Sequence, residues 1–273
     1  MFVNHVVSEG IYHIEDPNGF GGVCATLIIG KEKALLFDTC YGLFNLKEHI
    51  RSITDLPVIV VCSHGHFDHV GGSYQFDQIY IHQEDVVLAQ SHTSIDKKRL
   101  AISQAKEKGL FLEDYDLDKF LNSKLPTLNV IEEEICFDLG DRRIKVIHLP
   151  GHTKGSIGII DEKSRILFAG DAVSPFIWIF GEEATKLSEY IETLKKLKEF
   201  DFYIFYIAHS IYPFPKNKID KLLHCAENVD ISKSVYFSVP FIPEKQLLMY
   251  SEGEGDIGNP DYCAIVYEPE KFA

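Results

Sequence analysis

VIVVCSHGHFDHVGG, residues 58–72, decides how the rest of the chain is read. It opens on an apolar run of strand length, the pattern of a strand covered on both faces. His64, His66, Asp68 and His69 then fall within six positions. In an extended segment, residues two apart project to the same side, so His64 and His66 can grip one ion. Asp68 and His69 follow after a turn and can face a second position. Neutral imidazole and carboxylate suit zinc, iron or manganese. The stretch predicts a metal site at the end of a buried strand.

The same grammar recurs further along. IKVIHLPGHT is an apolar strand followed by Pro-Gly and His152, RILFAGDA ends at Gly170 and Asp171, and YIFYIAHS ends at His209. Singly, each is an ordinary turn residue after a strand. Together they predict one site at one edge of the sheets.

Around these motifs the chain alternates strands and helices. GIYHIE, CATLIIG and KALLFDTC read as strands, with a turn cluster PNGFGG between the first two; FNLKEHIRSI has helical spacing. QIYIHQ is a strand, and residues 84–121 are mostly helical. Strands return from 127 in NVIEEEICFDLG, RIKVIHLPGH and SIGIIDEKSRILFAGD. ATKLSEYIETLKKLKEF is an amphipathic helix, DFYIFYIAHS a strand and KNKIDKLLHCAENV a further helix. The tail from 232 reads as one or two strands joined by SEGEGDIGNPDY. Several connections are too short for a crossover helix, so those strands are antiparallel neighbours. An α/β (α+β) chain with two sheets face to face and helices outside fits better than a doubly wound sheet. No repeat or linker divides it, so residues 1–273 are expected to form one domain, with the helical insert at 84–121 placed to cap the site.

The strings H-x-H-x-D-H, P-G-H-T, G-D and A-H-S, with Asp38 of LLFDT as a first motif, resemble the metallo-β-lactamase-fold superfamily. The gaps are in keeping: 83 residues from His69 to His152, 19 to Asp171 and 38 to His209. The resemblance implies a four-layer αββα sandwich. It assigns His64, His66 and His152 to one metal, Asp68, His69 and His209 to a second, and Asp171 to both. Asp38 would orient the metal loop through hydrogen bonds. Two zinc ions per chain are expected, with iron or manganese as substitutes. They would share a hydroxide that cleaves an ester, thioester, lactone or phosphodiester. Asp68 and Asp171 are the catalytic carboxylates, Asp68 also passing a proton. True β-lactamases of this fold usually carry Cys or Ser in place of Asp171, so the chain looks closer to the glyoxalase II, lactonase and phosphodiesterase branches. The acidic tail argues against glutathione thioesters. The alternative is an iron-dependent oxidoreductase resembling persulfide dioxygenases or flavodiiron proteins.

Phe176, Trp178 and Phe180 recur every second residue in SPFIWIF and would share one face of a strand, either lining a substrate pocket or packing a core. Tyr212 and Phe214 are further pocket candidates, and Lys154 could attract an anion. His5, His13, His49, His82, His92, His148 and His224 are assigned to packing or surface. Most of the six cysteines read as small buried hydrophobes. With 27 Lys and Arg against 41 Asp and Glu, the net charge is −14, so nucleic acid is not an expected partner. No membrane span or export signal is evident, and a cytoplasmic protein acting on a small molecule is expected, with a homodimer as the default assembly.

Overall fold

The structure, a computed structural model, describes residues 1–17, 22–110, 112, 115–132, 134–239, 242 and 244–272. Most of the PNGFGG cluster, at 18–21, lies outside the described residues, as do 111, 113 and 114 of the helical insert.

The first sheet holds β1 (Val3–Ser8), β2 (Ile11–Glu15), β3 (Cys24–Ile29), β4 (Ala34–Phe37), β5 (Val58–Val61), β6 (Gln78–His82) and β7 (Thr127–Ile131), paired in chain order. The first four form an antiparallel meander, and β4 to β7 are parallel. Each parallel step needs a crossover. It is supplied by α1 (Leu46–Arg51), by α2 (Phe67–Val70), and by α3 (Val86–His92), α4 (Ile95–Glu107) and α5 (Leu117–Asn122) of the insert.

The second sheet is built from β8 (Cys136–Asp138), β9 (Arg143–His148), β10 (Ile157–Asp161) and β11 (Ile166–Phe168), antiparallel in turn. The chain then forms β12 (Phe176–Ile179) and α6 (Leu187–Leu197) and returns as β13 (Ile204–Tyr206), parallel to β11 and followed by β14 (Phe214–Pro215) and α7 (Lys218–Glu227).

Period-two burial divides the side chains among layers. On β4, Leu35 and Phe37 meet Ile144, Val146 and Phe168 between the two sheets, whereas Ala34 and Leu36 turn to the other face, toward Ile50, Ala101 and Phe120 of the helices. On the far side of the second sheet, Tyr190, Leu194 and Leu197 of α6 repeat at helical spacing and pack with Ile147 and Leu167. These are the helix and sheet layers of the αββα sandwich.

One feature departs from expectation. The tail makes three strands rather than one or two: β15 (Val235–Phe237), β16 (Leu247–Glu252) and β17 (Cys263–Tyr267). With β12 they form a third, four-stranded sheet, in which β12 runs parallel to β17. A parallel partner so far away in sequence leaves no hairpin signature. Five of the six cysteines are buried and Cys136 is exposed. Among the described residues no helix is long and apolar enough to cross a membrane.

Candidate metal centre

The motif residues follow the C-terminal ends of strands that share an edge. Asp38 follows β4, Ser63 to His69 follow β5, His152 follows β9, Asp171 follows β11 and His209 follows β13. Backbone bonds tie these ends together: Asp38 N–H donates to Val61 O at 2.8 Å, Ile157 N–H to Ser63 O at 2.8 Å, and Ala208 N–H to Gly170 O at 3.0 Å. His66 is the N-terminal flank of α2, whose short turn carries Asp68 and His69.

The structure brings the seven predicted ligands together in two halves. In one, His64 Nε2 lies 3.0 Å and His152 Nε2 2.9 Å from His66 Nδ1. In the other, Asp68, His69 and His209 present donor atoms within 4.8 Å of one another. Asp171 stands between: its Oδ2 is 3.4 Å from His69 Nε2, 3.2 Å from His209 Nε2 and 3.9 Å from His152 Nε2.

Hydrogen bonds at the outer ring atoms set the tautomers. His152 Nδ1–H donates to Trp178 O at 2.9 Å, His64 Nδ1–H to Ser63 Oγ at 3.0 Å and His69 Nδ1–H to Asp38 Oδ2 at 2.8 Å. Each leaves a bare Nε2 aimed inward. His69 Nε2 is buried and makes no well-formed hydrogen bond. Lone pairs facing one another at such separations repel unless positive charge stands among them. This donor set, imidazole nitrogen with carboxylate oxygen, fits divalent metal ions.

Charge distinguishes the halves. Burial, reinforced by the neighbouring imidazoles, holds His64 well below the usual histidine range and brings His152 down to about 4. Burial opposes the charged form of His209 too, but Asp171 and Asp68 override it and raise the group to about 10. His69 is likewise raised against its burial by Asp68, Asp171 and Asp38.

Buried carboxylates stand behind each half. Asp38 Oδ1 accepts from Ser63 N–H at 2.6 Å, and Oδ2 accepts from Ser63 Oγ–H and from His69, each at 2.8 Å. Its backbone sits in the left-handed region at φ 70°, unusual for a residue with a side chain. Asp85, which sequence reading missed, does the parallel work for the first half. Its Oδ2 accepts from Gly65 N–H at 2.7 Å and Thr153 Oγ–H at 2.8 Å, and Oδ1 from Gly155 N–H at 2.9 Å. One carboxylate thus clamps the loop of His64 and His66 to the loop of His152. Glu183 was also missed; its Oε1 lies 3.8 Å from His66 Nε2, and although burial resists ionisation, His66 draws the carboxyl down to about 2.

A cavity of about 730 Å³ opens onto the centre, with His66, Asp68, His152, Asp171 and His209 in its lining. Phe176, Trp178 and Phe180 line it as well; of the alternate residues, Ile179 is buried in the adjoining core, and Ile177, also buried there, touches the cavity. His92 corrects the sequence reading: its ring centroid is 5.0 Å from that of His66, in the cavity wall. Tyr212 and Phe214 are corrected in the other direction. After His209 the chain turns through a Ser210–Tyr212 hydrogen bond and pairs β14 with β13, which leads it away from the site. Tyr212 is 72% exposed, Phe214 stacks on Phe205, and neither lines the cavity. Lys154 is exposed outside it, whereas α4 of the insert contributes Lys97, Leu100, Ala101 and Gln104.

The family model of the metallo-beta-lactamase superfamily matches residues 18–209. A bovine protein named acyl-coenzyme A thioesterase MBLAC2 is 30% identical over 216 residues, which cover 72% of this chain and 76% of that protein. The hydroxyacylglutathione hydrolase GloC of Haemophilus influenzae is 27% identical over 150 residues, 55% of this chain and 66% of its own. Among solved structures, a metallo-beta-lactamase from Pontibacter korlensis superposes with a TM-score of 0.59 at 16% identity, covering 84% of this chain and all of that one, a likeness of fold.

Proposed function

The chain belongs to the metallo-beta-lactamase superfamily, and from that membership together with the geometry of its centre we propose a dinuclear metal-dependent hydrolase acting on a carboxylic thioester or ester. The observation that carries this reading is Asp171 Oδ2, within 3.9 Å of imidazole nitrogens from both halves. A carboxylate so placed can serve two ions at once. In this reading His64, His66 and His152 would hold one ion, Asp68, His69 and His209 the other, and Asp171 would serve both. Zinc is the expected metal, and iron or manganese would suit the same donors. Two such ions supply Lewis acidity and an acidified water that can attack near neutral pH.

The remaining chemistry belongs to the chain. Asp38 and Asp85 fix the ligand loops, so little reorganisation is needed when the substrate arrives. Asp68 reaches the cavity as well as the second half, where its carboxylate can take a proton and pass it to the leaving group. The cavity wall keeps bulk water from the bound substrate. The preference for an acyl substrate comes from the relatives, whose names describe an acyl-coenzyme A thioesterase and a hydroxyacylglutathione hydrolase.

The test is elemental analysis of protein purified without added metal, followed by a panel of thioesters, esters, lactones and phosphodiesters. Two ions of zinc per chain and turnover of a thioester or ester are expected. Full activity in a D171N variant, or iron with oxygen uptake in place of hydrolysis, overturns the reading.

A further inference from the structure

Resting on that hydrolase reading, we propose that the cavity seats a straight, apolar acyl arm of the substrate, with Leu100, Phe176, Trp178, Phe180, Ile242 and Ile257 as the wall that reads its length. The six line one cavity with the centre's own ligands, so an arm lying against them extends directly from the reacting carbonyl. Their sources are informative. Leu100 comes from α4, and Phe176 and Trp178 come from β12 of the third sheet. Ile242 and Ile257 lie beyond residues 18–209, the part that matches the superfamily model. The wall is therefore composite: four of its residues lie within the matched span, and Ile242 and Ile257 are contributed from beyond it.

The chemistry of the wall selects the arm over the carrier. Coenzyme A and glutathione, the carriers in the relatives' names, are polar and charged. An aromatic and aliphatic wall offers their phosphates, carboxylates and amides no polar partner and gains about 0.8 kcal/mol for each methylene it covers. Besides the ligands, the charged groups lining the cavity are Lys245, paired with Glu268 at 2.5 Å, Glu183, which faces His66, and Lys97 and Asp256, which are of opposite sign. Leu100 is 43% exposed on α4 and lines the cavity, as expected of an apolar group at the mouth of a binding cleft. Trp178 couples the wall to the centre, because its carbonyl receives the Nδ1–H of His152.

Trp178 is the only tryptophan in the chain, which makes it a reporter of its own cavity. Full-length protein is titrated with straight-chain primary alcohols of increasing length, which carry no carboxylate to coordinate an ion, and tryptophan fluorescence is followed. Affinity is expected to rise about fourfold per methylene, then to level off once the cavity is filled. In parallel, kcat/KM is measured on acyl thioesters that share one leaving group. The same slope is expected there, and L100N and I242N should each lower the octanoyl-to-acetyl ratio several-fold. The ratio is internal to each variant, and Leu100, half-exposed, can be changed without unfolding the chain. Hydrolysis of short and long thioesters at equal rates, with no length dependence in binding, overturns the acyl-arm assignment and leaves the hydrolase reading standing. Length-dependent binding without hydrolysis of any thioester or ester supports the apolar occupant and overturns the hydrolase reading.

Discussion

The two halves of the centre use opposite strategies. The half of His64, His66 and His152 is all imidazole, and the carboxylates that approach its ring nitrogens are the shared Asp171, 3.9 Å from His152 Nε2, and Glu183, 3.8 Å from His66 Nε2. The half of Asp68, His69 and His209 mixes carboxylates with imidazoles, which neutralise one another even as protons come and go. The support differs as well. Asp85 clamps the first half through two backbone N–H groups and a hydroxyl, arriving from the insert after β6. Asp38 holds the second half through His69 itself, arriving from the neighbouring strand. Asp85 thus holds its half through backbone and one hydroxyl alone, whereas Asp38 adds to its bonds with Ser63 a direct bond to a ligand, His69.

Experiments can break this contrast. The largest effect is expected at Asp171, where both halves meet: D171N should cut hydrolysis by more than about a hundredfold and lower the metal content per chain, read by elemental analysis. Retention of both ions would show that the halves do not share a ligand. Next come the supports. D85N and D38N should each weaken metal retention against a chelator by about 10- to 100-fold. The contrast sharpens if D85N releases the ion of the three histidines first and D38N the other, which a cobalt-substituted protein reports through its visible spectrum. Identical losses in both variants would mean that the two halves respond as one.

A smaller effect separates acid sensitivity of the scaffold from that of the centre. His13, buried on β2 and hydrogen-bonded to Thr26 Oγ1 at 2.9 Å, is held by burial at about 4, against 6.5 for a free histidine. The unfolded chain takes up this proton first as pH falls, so the stability contributed by the neutral ring is intact above 6.5 and declines between 6.5 and 4. H13Q should remove about 1 kcal/mol of the stability lost between roughly pH 7 and 5.5, measured by denaturant unfolding. It should leave metal retention unchanged at neutral pH. If wild type and H13Q fall in parallel, the acid response belongs to the centre.

What could be read from the sequence follows from how each residue reaches the site. The ligands were legible because each sits three to eight residues past an apolar strand, and strand ends collect along one edge. The alternation of Phe176, Trp178 and Phe180 was equally local, so their common face was foreseeable. Asp85, Glu183 and His92 were not, since each arrives from a segment whose pattern says only helix or loop, and its role appears when another loop packs against it. Tyr212 misled because proximity to His209 along the chain does not survive the reversal into β14. The third sheet was hidden for the same reason: β12 finds β17 only in the folded molecule.

The ligands are divided between the two facing sheets. His64, His66, Asp68 and His69 belong to the first, and His152, Asp171 and His209 to the second. In the dinuclear reading proposed above, an ion held by both would work as a rivet across the sandwich. Its grip is spent on keeping the sheets docked as well as on chemistry, so affinity for metal and resistance to unfolding become one quantity measured two ways. For such a molecule a chelator would act as a denaturant.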